Sequence, residues 1–370
     1  MNFSLENNKV SEGLILIKGA LNFLYSVTNI LHLGRNKMEL TSAKSKQEVS
    51  RAFLSCSMLV LILLLLYLGI MQISEKLPYI KPGSDVMYAA KSKYLQNHLI
   101  FTVDKPIKVL ALGNSKVMSG FIPDQFDHEV PGVVSYNAGF PNATTFKLEE
   151  WLKRGNVPTH VLYMIPWRDS LAEKKSLFRF LPSDESIINA LFPFHMIVHD
   201  VVFFIVHSHK FGGLLASYQY AKKQVTIMHR DRGYYFIEDQ SRFSDYRVPD
   251  NFHFIDDDAS VVKYREANIH THAFQELKHL ADQYGFKIIV MPYYLRKGER
   301  GAAGMNHSMI EALRPYNEFH VVGKDYLLLD NHYFSDAAHL NPDGAQLFTH
   351  IIANLMREEL NSERDHPHAF

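Results

Sequence analysis

Apolar and polar positions fall into distinct regimes along this chain. Leu54 to Ile73 (LSCSMLVLILLLLYLGIMQI) lies within a stretch free of charge from Arg51 to Glu75. At about 1.5 Å per residue it covers a hydrocarbon core of roughly 30 Å, which predicts one transmembrane helix over residues 53–74. Leu and Ile on every face argue against a buried core helix. A cleaved signal peptide has a shorter apolar stretch, an Ala-x-Ala-like exit and a position nearer the N-terminus. In the N-terminal segment 1–52, Gly13 to Leu33 (GLILIKGALNFLYSVTNILHL) surrounds a helix with apolar residues broken only by Lys18 and His32. That pattern suits an interfacial helix, a second span, or a helix packed on the globular domain.

Residues 75–104 read as a linker. From Lys105 onward short apolar runs alternate with amphipathic stretches. Ile107–Leu112, Val133–Asn137, His160–Ile165, Lys287–Pro292 and Tyr326–Leu329 read as buried strands of a parallel sheet, and Leu148–Arg154, Ser260–Tyr284 and Pro342–Leu360 as crossover helices. The fold class this predicts is α/β, a doubly wound three-layer α/β/α domain with a parallel, flavodoxin-like sheet over residues 105–360. A segment of about 171–254 contains no βα unit but carries apolar stretches such as Val201–Val206. It reads as an inserted helical subdomain that faces a membrane, roofs the active site, or packs against the core. The polar residues 361–370 read as a frayed tail.

Composition narrows the partners. Lys+Arg and Asp+Glu both number 39, so no net field favours a polyanion, and nucleic acid is not expected as a partner. The single cysteine, Cys56, excludes an internal disulfide and a cysteine-based zinc cluster, and it opens the apolar run instead of following one, unlike a lipidation site. The 20 histidines include a cluster at His195, His199, His207 and His209 and a near pair at His270 and His272. Neither has zincin spacing, and no metal or other cofactor is expected.

The candidate chemistry lies at two places. The first predicted strand runs into Gly113-Asn114-Ser115, where a parallel sheet presents ligand-binding groups and Ser115 would stand beside a helix start. A glycine-x-serine turn is by itself more often a turn with a capping serine. The second place is Ser335-Asp336-Ala337-Ala338-His339-Leu340-Asn341-Pro342-Asp343-Gly344, whose Asn341, Pro342 and Asp343 form a strong helix start. A short loop holding Asp336 three residues before His339 fixes the imidazole tautomer and leaves the other ring nitrogen free to take a proton from a serine.

Ser115 in Gly-Asn-Ser-Lys, Asn137-Ala138-Gly139 after the second strand, and Asp336-Ala-Ala-His339-Leu-Asn-Pro-Asp-Gly together resemble, in order, the sequence blocks of SGNH (GDSL-like) hydrolases. The resemblance spans about Lys105 to Leu360. It implies a serine nucleophile at Ser115, a general base at His339 and an orienting carboxylate at Asp336. It also places oxyanion or substrate-binding duties in the second block, at Gly139 and Asn142, and in the third, after the strand at His160–Ile165. The family's second-block glycine falls at Asn142, whose amide can still serve, because Asn tolerates strained backbone nearly as well as Gly. The third-block asparagine is replaced by Arg168, which either donates to an oxyanion, carboxylate or phosphate, or pairs with Asp169 on the surface.

A membrane helix followed by such a domain is similar in layout to the acyl-transfer partners of polytopic membrane O-acyltransferases, such as alginate O-acetylation proteins and the D-alanyl transfer protein of teichoic acid synthesis. The likeness implies a serine O-acyltransferase or deacylase acting on cell-envelope polysaccharide, anchored in a bacterial inner membrane with its catalytic domain outside the cytoplasm. Its partners would be the glycan, the membrane and a polytopic acyltransferase. The charge pattern adds a slight preference for a cytoplasmic N-terminus, with Arg35, Lys37, Lys44, Lys46 and Arg51 before the span. Two other readings stand beside it: a membrane-tethered lipase or thioesterase with the insertion as its acyl pocket, and an inactive glycan-binding subunit that has kept the fold.

Overall fold

The computed structural model describes residues 43–74, 79, 84–140, 148–164, 197–254, 272–299, 307 and 310–365. The chain divides into two compact units, Met1–Gln72 and Ile73–Phe370. In the first, helix α1 (Ala43–Ser74) contains Ser50–Gly69, a 20-residue, largely apolar stretch of which no residue is buried. Their length and composition suit a membrane span, a test that a signal sequence near a chain's start also meets. The predicted helix at Gly13–Leu33 lies outside the described residues.

The strands of the second unit are β1 (Ile107–Gly113), β2 (Val133–Gly139), β3 (His160–Tyr163), β4 (Lys287–Val290), β5 (Tyr293–Arg296), β6 (Phe319–Val321) and β7 (Tyr326–Leu329). Five of them form a parallel sheet in the order β2-β1-β3-β4-β6, which is the 2-1-3-4-5 arrangement of doubly wound domains. Its helices are α2 (Ser84–Asn97), α3 (Ser115–Gly120), α4 (Pro123–Glu129), α5 (Leu148–Lys153), α6 (Ile197–His207), α7 (Leu214–Arg230), α8 (His272–Tyr284) and α9 (Pro342–Asp365).

Alternation along the strands sends side chains to two cores. Val109, Ala111, Leu162 and Ile289 meet Phe126 of α4 and Phe348, Ile352 and Met356 of α9 on one face. Leu110, Leu112, Val161 and Ile288 meet Leu95 of α2, Trp151 of α5 and Leu277 and Leu280 of α8 on the other. Both faces are therefore dry, which is why these strands are almost continuously apolar.

Three sequence expectations need correction. Tyr326–Leu329 is not in the main sheet: as β7 it pairs with β5 in a separate two-stranded parallel sheet, and Leu328 is 45% exposed. The fifth place belongs to Phe319–Val321, three residues interrupted by His320 and too short to announce themselves. Second, residues 84–97 are not linker. Helix α2 buries Val86, Met87, Ala90 and Leu95, but Lys91 and Ser92 are buried too and break the apolar stripe that would have revealed it. Third, residues 361–365 are not tail: α9 continues past Leu360 to Asp365, and residues 366–370 lie outside the described residues.

Within the described part of the insertion, α7 and the chain after it pack against the core. Ala221, Val225 and Met228 of α7 join Val86, Met87 and Met118, and the chain after α7 runs along β2, whose Asn137 amide donates to the Arg232 carbonyl at 2.9 Å. The Arg232 guanidinium pairs with Asp124 and Asp127. This covers the edge strand that an open sheet would otherwise expose. Residues 165–196 of the segment lie outside the described residues, as does the predicted start of α8 before His272.

Candidate active site

Strand β1 delivers Ser115 to the carboxyl edge of the sheet. Asn114 caps α3, its side chain accepting from the Lys116 amide at 2.9 Å, so Ser115 becomes the first helical residue. Ser115 is half-buried, and its amide, in the first turn, has no intrahelical acceptor.

The second half of the site comes from the loop between β7 and α9. Phe334 and Leu340, both fully buried, form an antiparallel bridge across it, and the Ser335 amide donates to the His339 carbonyl at 2.9 Å. Asn341 starts α9 by accepting from the Gly344 amide at 3.0 Å, while its own Nδ2 donates to the Tyr246 and His332 carbonyls. Gly344 is required there, because a Cβ would collide with the Tyr333 carbonyl. Within this clamped turn the Asp336 carboxylate accepts from the amides of Ala338 and His339 at 2.7 and 2.9 Å.

Ser115, His339 and Asp336 meet. His339 Nδ1 donates to Asp336 Oδ2 at 2.8 Å, and His339 Nε2 lies 2.9 Å from Ser115 Oγ. The carboxylate thereby fixes the tautomer and leaves Nε2 as the acceptor for the serine hydroxyl. The His339 and Asp336 side chains are 11% and 14% exposed, which strengthens both hydrogen bonds by excluding solvent. Burial alone would push the Asp336 carboxyl up, but the hydrogen bond and charge of His339, with the two backbone amides, outweigh it and hold the group below its ordinary range.

The oxyanion expectations fare differently. Gly139 is buried and its amide is engaged, donating to Asn137 Oδ1 at 2.9 Å. Its purpose is close approach: a Cβ there would collide with the Met118 amide and Val117. Asn137 is wholly buried and its Nδ2 donates to the carbonyls of Val117, Met118 and Phe121, stitching β2 to the helix that begins at Ser115. Asn142 and Arg168 lie outside the described residues.

Sequence reasoning missed the groups that bracket the site. Strand β5 sends Tyr294 to the Lys116 carbonyl (Oη donating at 2.8 Å) and Arg296 to the Ala337 carbonyl (Nε donating at 2.8 Å), so one strand grips both the helix that begins at Ser115 and the turn that carries Asp336 and His339. Lys116 is buried, donates to the Tyr294 carbonyl at 3.0 Å and lies over the rings of Tyr293 and Tyr294. Its amine is lowered mainly by burial and further by Arg296, against the pull of Glu299 and Asp336. Lys91 reaches from α2 to the Gly139 carbonyl at 2.6 Å, and burial holds its amine well below the ordinary range. A signal for β5 existed in the apolar Tyr293-Tyr294-Leu295 after Pro292, where proline ends one strand and permits another to start.

Among the described residues, His307, Glu311 and Asp325 bring possible metal ligands together, but Arg314 pairs with both carboxylates and His307 bonds Asp325. Comparisons of the chain with protein-family models, with curated proteins and with solved structures found no match.

Proposed function

We propose that this chain is a membrane-anchored serine esterase or O-acyltransferase of the SGNH type, acting on acylated cell-envelope polysaccharide. One observation carries the reading: the unbroken hydrogen-bonded series Ser115 Oγ, His339 Nε2, His339 Nδ1, Asp336 Oδ2 at 2.9 and 2.8 Å, at the carboxyl edge of a parallel sheet. Support for the SGNH type comes from the 2-1-3-4-5 strand order and from the three sequence blocks that meet around the site.

In this mechanism His339 Nε2 takes the hydroxyl proton as Ser115 Oγ attacks the acyl carbonyl carbon. The imidazolium, stabilised by ionised Asp336, then returns the proton to the departing alcohol oxygen as its bond to the acyl carbon breaks. The resulting ester on Ser115 is released by water in hydrolysis or by a sugar hydroxyl in transfer, with His339 again the base. The Ser115 amide is one donor for the developing oxyanion, and the segments holding Asn142 and Arg168 are the source of the others.

The test is covalent. A fluorophosphonate should add to Ser115, with the mass increase confined to the peptide containing it, and Ser115→Ala should take up none. Unchanged labelling in that variant would eliminate the reading. Acetyl against long-chain p-nitrophenyl esters then separates the polysaccharide reading from the lipase or thioesterase one.

A further inference from the structure

Residues 197–230 hold four basic side chains (Lys210, Lys222, Lys223 and Arg230) and one acidic, Asp200, on a chain whose 39 basic and 39 acidic residues otherwise balance. They form a hairpin of helices α6 and α7, joined by the turn Ser208–Phe211 and two glycines. The turn is internally fastened: the Gly213 amide donates to the Ser208 carbonyl at 2.9 Å, Ser217 Oγ to the same carbonyl at 3.3 Å, and Phe211 stacks on Tyr220.

Helix α7 buries Ala221, Gln224, Val225 and Met228 against the core. Away from that face Lys222 and Lys223 are exposed, as is Lys210 in the turn, and none of the three is ion-paired among the described residues. Arg230 pairs with Asp231. On either side of the turn that holds Lys210, Val201, Val202, Ile205 and Val206 occupy one stripe of α6 and Leu214 and Leu215 start α7, all between 37% and 70% exposed. Exposed aliphatic side chains flanking a hydrogen-bonded turn, with unpaired lysines in the turn and on α7, are the pattern that inserts into an interface between acyl chains and headgroups.

We propose that the α6–α7 hairpin docks on the surface of an anionic lipid bilayer, burying its aliphatic stripe among acyl chains while Lys210, Lys222 and Lys223 meet lipid phosphates. The charge complementarity selects anionic lipid over a neutral surface. The bilayer is the partner of this chemistry that the chain itself indicates, through the apolar, unburied stretch Ser50–Gly69. Such docking would hold the second unit at the membrane through contacts of its own.

Because Cys56 is the single native cysteine, site-specific probes are available. In full-length Cys56→Ser protein reconstituted in vesicles, an environment-sensitive fluorophore is placed on Val202→Cys, on Leu215→Cys, or on Glu358→Cys, an exposed α9 position. The first two should be blue-shifted and quenched by nitroxide lipids about threefold more strongly in phosphatidylcholine doped with phosphatidylglycerol than in phosphatidylcholine alone. The Glu358 probe should respond to neither. Charge reversal at Lys210, Lys222 and Lys223 should remove the difference, and if that variant folds poorly, high salt on the unreversed protein should do the same. A blue shift without lipid quenching would mean that protein, this chain or a second copy, covers the stripe. No shift would mean that water does. Either result overturns the proposal, and neither bears on fluorophosphonate labelling of Ser115.

Discussion

Ser115, the proposed nucleophile, is half-buried at the start of α3 and carries little packing energy, so its proposed role and the fold are separable. Ser115→Ala should lower turnover by at least about 10³-fold while shifting unfolding stability by no more than about 0.5 kcal/mol. His339→Ala should match it in turnover, and Asp336→Asn should lose somewhat less; steady-state rates beside thermal melts separate the two effects. Lys91 makes a different case. The unfolded chain binds this proton more tightly than the native state does, because burial lowers the native amine. Stability should therefore rise with pH between that lowered value and the ordinary one near ~10.4. Lys91→Met should flatten the rise, measured as the difference between wild-type and variant denaturation midpoints from neutral pH upward. Parallel curves for the two proteins would refute the account. Of these residues, Asp336 and His339 were legible in the sequence because one short loop holds both, and Ser115 because it stands in a small-residue turn at the end of the first strand and fits the same ordered blocks. Lys91 and Lys116 were not, since a lysine reads as surface until the tertiary fold supplies the carbonyl and aromatic rings that surround it.

At the scale of elements, β5 is the piece that joins the two halves of the site. Arg296, almost wholly buried, holds the Asp336–His339 turn by the Ala337 carbonyl, and Tyr294 holds the serine helix by Lys116. Arg296→Gln should slow fluorophosphonate labelling about 10- to 100-fold at temperatures well below melting, and should cost about 2–4 kcal/mol of stability. Arg296→Lys keeps the charge without the Nε geometry and should recover stability better than labelling rate. Labelling at the wild-type rate in both variants would show that the turn is held by the Phe334–Leu340 bridge alone. Sequence patterning found β1 to β4 because both their faces are apolar. It misassigned β7 and missed β6 because a strand's sheet is decided by pairing, which Tyr326–Leu329 and Phe319–Val321 do not encode locally.

For the whole molecule, the proposed function requires the second unit to lie where envelope polymers are displayed. Reporter fusions after Leu360 in intact cells should give active alkaline phosphatase and dark green fluorescent protein; the reverse would place the site in the cytoplasm and redirect the search to lipid or thioester substrates. Sequence alone indicated the α/β class and the apolar helix, since both are written in periodicity. It did not reveal that α7 and the chain after it shield the β2 edge, because that arrangement depends on Arg232 meeting Asp124 and Asp127 from over a hundred residues away.

Ser115 and His339, the proposed nucleophile and base, are 224 residues apart. Synthesis from the N-terminus completes β1 and α3 long before the turn that carries Asp336 and His339 exists, and β5, which grips both, also comes late. A nascent chain therefore carries a serine without a proton acceptor until nearly all of the second unit has been made. On the proposed function, Ser115 acquires its proton acceptor only when the turn ahead of α9 has docked, so acyl chemistry would wait on the last part of the second unit to fold.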